Sequence, residues 1–365
     1  MRFGLIGYGA WGRFHARSIA AVDGVALATI ACRNEATAVA ARRDFPDARV
    51  TLDWREAVAD RGVDVIDVVV PNHLHADVAC AALEAGKDVL LEKPMATTRE
   101  DCDRIIEAER RSRRIVSVGH EFRLSTQWGR AKRLVDEGAI GEPLFVNVNL
   151  FRNAYRTGAD GWRYDRSRVG SWMLEKTVHF FDFALWYLAG SGDPVSIRAF
   201  GNQRPGRSEG MYDNLCAILR FDGGAYATIT QTIAGFEHHL VVEITGTEGA
   251  IRTAWSGTMD RDHHPVYAFS VQPKGFAFER GVREAVHESI AISGEVYELQ
   301  EQIRLTAQAL RERRPLVSSD EARKRVICCI EAERSLRENR EIVLGFPSPQ
   351  PSPLRGEGAE RERGG

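Results

Sequence analysis

The sequence has no long apolar run, no surplus of charge of one sign and no paired-cysteine motif, and each absence removes a class of function. Nowhere in the 365 residues is there a stretch near the ~20 continuous apolar residues that span a bilayer. Lys plus Arg number 49 against 51 Asp plus Glu, a net charge of -2. That balance gives no broad attraction to nucleic acid or to an anionic membrane surface, though it is compatible with a local basic pocket for a phosphate. The opening Met1-Arg2-Phe3-Gly4-Leu5-Ile6-Gly7 runs straight into a glycine motif, without the apolar core or small-residue cleavage site of a signal peptide. The cysteines (Cys32, Cys80, Cys102, Cys216, Cys328, Cys329) form no C-x-x-C pair, and the last two fall in a helical pattern as small core or boundary residues. A reducing cytoplasm is the expected compartment.

What is present is the composition of a soluble globular protein, 44% hydrophobic and 27% charged, long enough for two domains. Residues 1–120 alternate apolar runs at 3–6, 25–31, 65–70, 89–91 and 115–118 with helical patterns at 10–22, 35–44, 75–85 and 98–113. The last opens Thr98-Arg99-Glu100-Asp101, a capping box with Asp in place of Glu. Runs such as Val68-Val69-Val70 do not alternate with polar residues, as expected of strands buried on both faces. The fold class is therefore α/β, with a doubly wound parallel sheet at the N-terminus.

Beyond a helix at 127–137 the period changes to two. Strands are expected at 144–151, 195–203, 215–221, 225–232, 240–246 and 250–255, with turns at Asp222-Gly223-Gly224 and Gly246-Thr247-Glu248-Gly249. Helices are expected at 172–189, 295–313 and 319–339, the last behind a capping box at Ser318-Ser319-Asp320-Glu321. This predicts a second α/β domain, 121–345, with a largely antiparallel open sheet. From Phe346 to residue 365, Pro and Gly alternate with charge, and disorder is expected there.

Gly7-Tyr8-Gly9-Ala10-Trp11-Gly12 is G-x-G-x-x-G placed between a strand and a helix, the setting a dinucleotide fingerprint requires. Gly7 permits the tight turn, Gly9 lets the backbone approach a pyrophosphate, and Gly12 lets the helix pack on the strand. An acid binding a ribose 2′-hydroxyl is expected about 20 residues past the last glycine. Cys32 stands there instead, with Arg33 beside it. A guanidinium suits a 2′-phosphate, so NADP is expected and NAD remains possible. A solvated arginine at a strand end is the plain alternative.

Three further segments lie where ligands bind such folds. Pro71-Asn72-His73-Leu74-His75 and Glu92-Lys93-Pro94 directly follow buried strands, and Glu175 and His179 are four apart on one helical pattern. Taken with GLIGYGAWGRFHA, VVVPNHLHADVACAALEAGKDVLLEKPMA, GHEFR, LVDEGAIGEP, EKTVHFFD and ITGTEGAIR, the chain resembles the Gfo/Idh/MocA oxidoreductase family over residues 1–345. The resemblance implies a Rossmann domain and a second domain whose open sheet supports a homodimer or homotetramer. It makes Lys93 the lysine that holds the reacting hydroxyl and His179 the general base. Asn72 and His75 would line the nicotinamide-ribose side, although His75 could simply cap its helix. Glu175 stands where the family usually has Asp, either binding substrate hydroxyls or tuning His179. Lys176 is expected elsewhere around the helix, solvated or paired.

Arg, Tyr and Trp crowd the segment 152–171, where Tyr155, Trp162 and Arg163 suit a sugar or polyol, or its charged group. Arg123 is a second substrate candidate. A surface or oligomer-contact loop is the alternative for this segment. His263-His264 has no third ligand at a metal-binding spacing. The expected activity is hydride transfer between a nicotinamide cofactor and a secondary alcohol or ketone of a sugar, inositol or related polyol. Two other readings stay open: a redox-neutral glycosidase or lyase using tightly bound NAD transiently, and a non-catalytic NAD(P)-binding sensor.

Overall fold

The computed structural model describes residues 1–275, 284–292, 294 and 296–346, so the expected disordered tail lies outside the described residues from 347 onward. Two sheets organise the chain. The first is parallel, with strands β1 (Arg2–Ile6), β2 (Ala26–Ala31), β3 (Arg49–Thr51), β4 (Val65–Val68), β5 (Asp88–Glu92) and β6 (Val116–Gly119). Their spatial order is β3-β2-β1-β4-β5-β6, the doubly wound arrangement. Every residue of β4, β5 and β6 is buried, the mostly apolar run and the polar Asp67, Asp88, Glu92 and Ser117 alike, as expected of strands under helices on both faces. The order reverses between β1 and β4, and the loops leaving β1, β4 and β5 carry the glycine motif, Pro71-Asn72 and Lys93-Pro94. Ligands bind such sheets in that crevice.

The second sheet has nine strands: β7 (Pro143–Arg152), β8 (Pro194–Asn202), β9 (Asn214–Phe221), β10 (Tyr226–Thr232), β11 (His238–Gly246), β12 (Ala250–Gly257), β13 (Val266–Gln272), β14 (Val286–His287) and β15 (Ile342–Val343). The order is β14-β13-β12-β11-β7-β10-β9-β8-β15. Pairing is antiparallel except that β7 runs parallel to β10. The long connection between those two, containing helix Val178–Tyr187, is what a parallel pair needs. The seven-residue β13 escaped the sequence patterns, as did the shorter β3, β14, β15 and helix Trp54–Ala59.

The caps behave largely as their residues dictate. Ser318 and Glu321 form a complete capping box. Thr98 accepts from the Asp101 amide, which is the Thr half of a box. Helix Glu298–Arg311 returns to the first sheet, where Ile303, Ala307 and Leu310 pack with Phe3, Ile19, Val65 and Leu90. The helix expected over 172–189 is instead a π-turn, Met173–Thr177, followed by the α-helix Val178–Tyr187. In that α-helix all residues but Trp186 are buried, as suits a helix apolar nearly all round.

Candidate active site

The glycine loop is built for close approach. Gly7 has φ +105, and a Cβ there would lie 2.1 Å from the Val69 carbonyl oxygen. At Gly12 a Cβ would fall 1.9 Å from the Gly7 oxygen, whereas at Gly9 nothing lies within 4 Å. Gly9 therefore faces open space in front of helix Ala10–Ala20, whose first turn has no acidic residue. Backbone N–H groups and a positive helix end make an anion site there. A dinucleotide pyrophosphate fits this cradle. A cavity of about 530 Å³ extends from the loop past Cys32 and Arg33 to Lys93 and His179.

Tyr8 is buried, its hydroxyl donating to Asp44 at 2.8 Å. Cys32 is buried and continues strand pairing by donating its amide to Thr51. At the cavity's other end Lys93 Nζ donates to the Glu175 main-chain oxygen at 3.1 Å, and the Lys93-Pro94 peptide is cis. Glu175 accepts from Arg163 Nε at 2.8 Å and from Asn72 Nδ2 at 3.2 Å. Burial alone would raise the Glu175 carboxyl, but Lys93 and Arg163 outweigh it and hold the group below its usual range. It stays ionised.

His179 stacks on Phe122 with ring centroids 4.4 Å apart, and its Nε2 lies 3.9 Å from Glu121 Oε1. Burial, then the charges of Lys93, Lys176 and His120, push the imidazole well below 6.5. A ring held neutral is free to accept a proton. His75, which opens helix His75–Glu84, places Nδ1 2.7 Å from the Pro94 carbonyl and Nε2 3.0 Å from that of Val70. It thus joins the two strand-end loops that carry Asn72 and Lys93, besides lining the cavity.

Beneath the glycine loop lies a charged group with no signature in the motifs. His15 Nδ1 is 2.8 Å from Asp67, and its Nε2 is 3.1 Å from Glu92 but off the hydrogen-bond line. Burial would lower the His15 ring, yet the two carboxylates bring it up to about 10. Glu92 is raised by burial and lowered, on balance, by His15 and Lys93. Glu92 is therefore a strut between the glycine-loop helix and Lys93. The only sequence signal for His15 is its place on the sheet-facing side of that helix.

Residues 1–120 match the oxidoreductase family with an NAD-binding Rossmann fold, and residues 128–252 match the GFO/IDH/MocA C-terminal domain. Levoglucosan dehydrogenase of Pseudarthrobacter phenanthrenivorans is 32% identical over 289 residues, covering 69% of this chain and 73% of that protein. The chain belongs to the Gfo/Idh/MocA oxidoreductase family. Inositol 2-dehydrogenase of Salmonella typhimurium is likewise 32% identical, over 260 residues, with 68% and 72% covered. Among solved structures, levoglucosan dehydrogenase in complex with NADH and levoglucosan superposes with a TM-score of 0.80 at 24% identity, covering 94% of this chain and 99% of that one. A probable dehydrogenase from Thermotoga maritima gives 0.77 at 21%, covering 94% and 98%. These two share the fold. As a Gfo/Idh/MocA protein the chain is an NAD(P)-dependent oxidoreductase that uses a nicotinamide cofactor.

Two expectations change in this family member. Arg123 is not at the cavity: Nε and Nη2 grip Asp182 at 2.9 and 2.6 Å, and Nη1 reaches Glu321 at 3.1 Å. The neighbouring Glu121 faces the cavity in its place, because the 3-10 turn Glu121–Leu124 sends the two side chains to different sides. Lys176 is not solvated. It is 4% exposed, lines the cavity and sits 4.9 Å from the Phe122 ring centroid. The π-turn widens the spacing per turn and carries Lys176 to the same side as Glu175 and His179.

Tyr155, Trp162 and Arg163 do line the cavity, joined by Arg152 and Asp260, which pair at 3.4 Å. His263 meets Tyr297 rather than a metal-ligand set, and among the described residues no group of three His, Cys, Asp or Glu is arranged for a metal. No helix among the described residues is long and apolar enough to cross a membrane.

Proposed function

We propose that this enzyme transfers a hydride between NADP and a secondary alcohol or ketone on a sugar- or cyclitol-like substrate. The carrying observation is that Lys93, Glu175 and His179 converge on the cavity that begins at the glycine loop. The relatives named for levoglucosan and inositol support a polyhydroxylated substrate. Arg33, with Cys32 in place of an acid, supports NADP over NAD.

When bound, the nicotinamide supplies the hydride chemistry. Lys93 places an ammonium beside the substrate oxygen and stabilises negative charge developing there. His179, neutral at pH 7, takes the hydroxyl proton during oxidation and returns it during reduction. Glu175 holds Asn72 and Arg163 and keeps both aimed at the site. Trp162 and Tyr155 offer aromatic faces to a sugar ring, and Arg163 stacks 5.0 Å from the Trp162 ring centroid. The six free thiols fit a reducing cytoplasm.

Nicotinamide absorbance, followed with inositols and sugars and with NAD⁺ and NADP⁺ in parallel, tests this reading. Net reduction that needs His179 is expected, fastest with NADP⁺. Bound cofactor without net reduction across the panel would overturn it. The outer face of the nine-stranded sheet, with its Asn147–Thr228 and Asn149–Thr230 pairs, is the surface proposed for a homodimer or homotetramer.

A further inference from the structure

The guanidinium assigned above to the 2′-phosphate already has an anion beside it, and that anion comes from the other domain. Arg33 Nη1 donates to the carboxylate of Asp160, 127 residues away in the loop that walls the substrate pocket. A second guanidinium meets the same residue: Arg168 Nη1 donates to the Asp160 carbonyl oxygen at 3.3 Å. Arg33 and Arg168 both line the cavity, as do Asn34, Thr37 and Trp54, which neighbour Arg33 or the β3 strand end. The Arg168 main chain is held separately, its carbonyl accepting from His73 Nδ1 at 3.2 Å. Both guanidiniums hold the Asp160 carboxyl below its usual range, Arg33 foremost.

The geometry points to a 2′-phosphate site shared between domains, with Arg168 as its second arm and Asp160 as a built-in competitor for it. This rests on the reading of Arg33 given above. A phosphate monoester carries about -1.5 to -2 charge at neutral pH, more than one carboxylate, and three oxygens that suit two guanidinium forks. It therefore displaces Asp160, whereas the neutral hydroxyl of NAD does not. Asp160 weakens NADPH binding, and its displacement links the identity of the dinucleotide to the loop bearing Tyr155, Trp162 and Arg163.

The test is equilibrium binding of NADPH, NADH and 2′,5′-ADP to the full chain, by fluorescence titration and calorimetry, in wild type, Arg33→Ala, Arg168→Gln and Asp160→Asn. Arg168→Gln is expected to weaken NADPH and 2′,5′-ADP by about tenfold or more, with NADH nearly unchanged, which also reports intact folding. Asp160→Asn is expected to tighten both phosphorylated ligands several-fold. If Arg33→Ala keeps its selective effect while Arg168→Gln and Asp160→Asn change nothing, the shared site is wrong and the Arg33 reading survives. If Asp160→Asn weakens NADH, the carboxylate serves a 2′-hydroxyl instead, and the competitor role is overturned. If wild type and Arg33→Ala both bind NADPH and NADH alike, the NADP reading itself falls.

Discussion

Lys93 donates through Nζ to the main-chain oxygen of Glu175, 3.1 Å away, so the lysine just past β5 of the first sheet is fastened to the π-turn of the second domain. The side chain proposed to hold the reacting hydroxyl is thus positioned by a contact between two segments 82 residues apart in the chain.

Lys93→Met should remove charge stabilisation at the substrate oxygen and lower kcat by about 10²–10³-fold. The glycine loop is untouched, so cofactor titration should be nearly unchanged. Turnover within a few-fold of wild type would remove Lys93 from the chemistry.

His179→Ala should lower turnover by about 10²–10⁴-fold. The pH dependence is more diagnostic. Since the ring is held well below 6.5, the neutral base is fully present at pH 7 and is lost only as pH falls through the depressed value. The acid limb of kcat/KM for alcohol oxidation should therefore lie below 6.5. Lys176→Met deletes one of the charges that depress it and should move the limb upward. A limb at or above the ordinary histidine value, or one that Lys176→Met leaves in place, would contradict this electrostatic account.

Arg123 is expected to matter for stability rather than for substrate. Burial raises the Asp182 carboxyl, but Arg123, His120 and Arg325 outweigh it and hold the group far below 3.8. Arg123→Ala removes one of the two guanidiniums on buried Asp182, leaving Arg325 at 2.9 Å, and should cost about 1–3 kcal/mol in urea denaturation at pH 7. With the folded value depressed, this contribution is present above the ordinary 3.8 and fades as pH falls through the folded one. A normal denaturation midpoint with a sharply raised KM would return Arg123 to the substrate.

Gly9 and Gly12 should fail differently. Gly12→Ala drives a Cβ to 1.9 Å from the Gly7 oxygen and should disrupt the loop and lower Tm. Gly9→Ala meets no protein atom within 4 Å, so it should fold normally and lose dinucleotide affinity. Undiminished cofactor binding by Gly9→Ala would place the pyrophosphate elsewhere.

Much of the site was legible because its residues are announced by local rules. Gly7, Gly9 and Gly12 follow a strand and open a helix, and Asn72 and Lys93 stand just past strands with no polar alternation. Glu121, Lys176, His15 and Asp160 were not legible. His15 sits on the buried face of a regular helix, but its carboxylate partners Asp67 and Glu92 come from distant strands. Glu121, Lys176 and Asp160 lie in irregular turns, where residue spacing does not fix direction. The π-turn at Met173–Thr177 breaks helical regularity, so Lys176 faced a direction that a 3.6-residue period does not give.

By itself the sequence determined the doubly wound N-terminal sheet, the glycine cradle and the antiparallel character of most of the second sheet, since buried runs, alternation and turn residues act within a few neighbours. Only the tertiary structure decided the parallel pairing of β7 with β10, the burial of Arg123 against Asp182 and the meeting of Arg33 with Asp160. Those depend on which distant segments share a space, and there complementary charge and the exclusion of water select among arrangements that local pattern leaves equal.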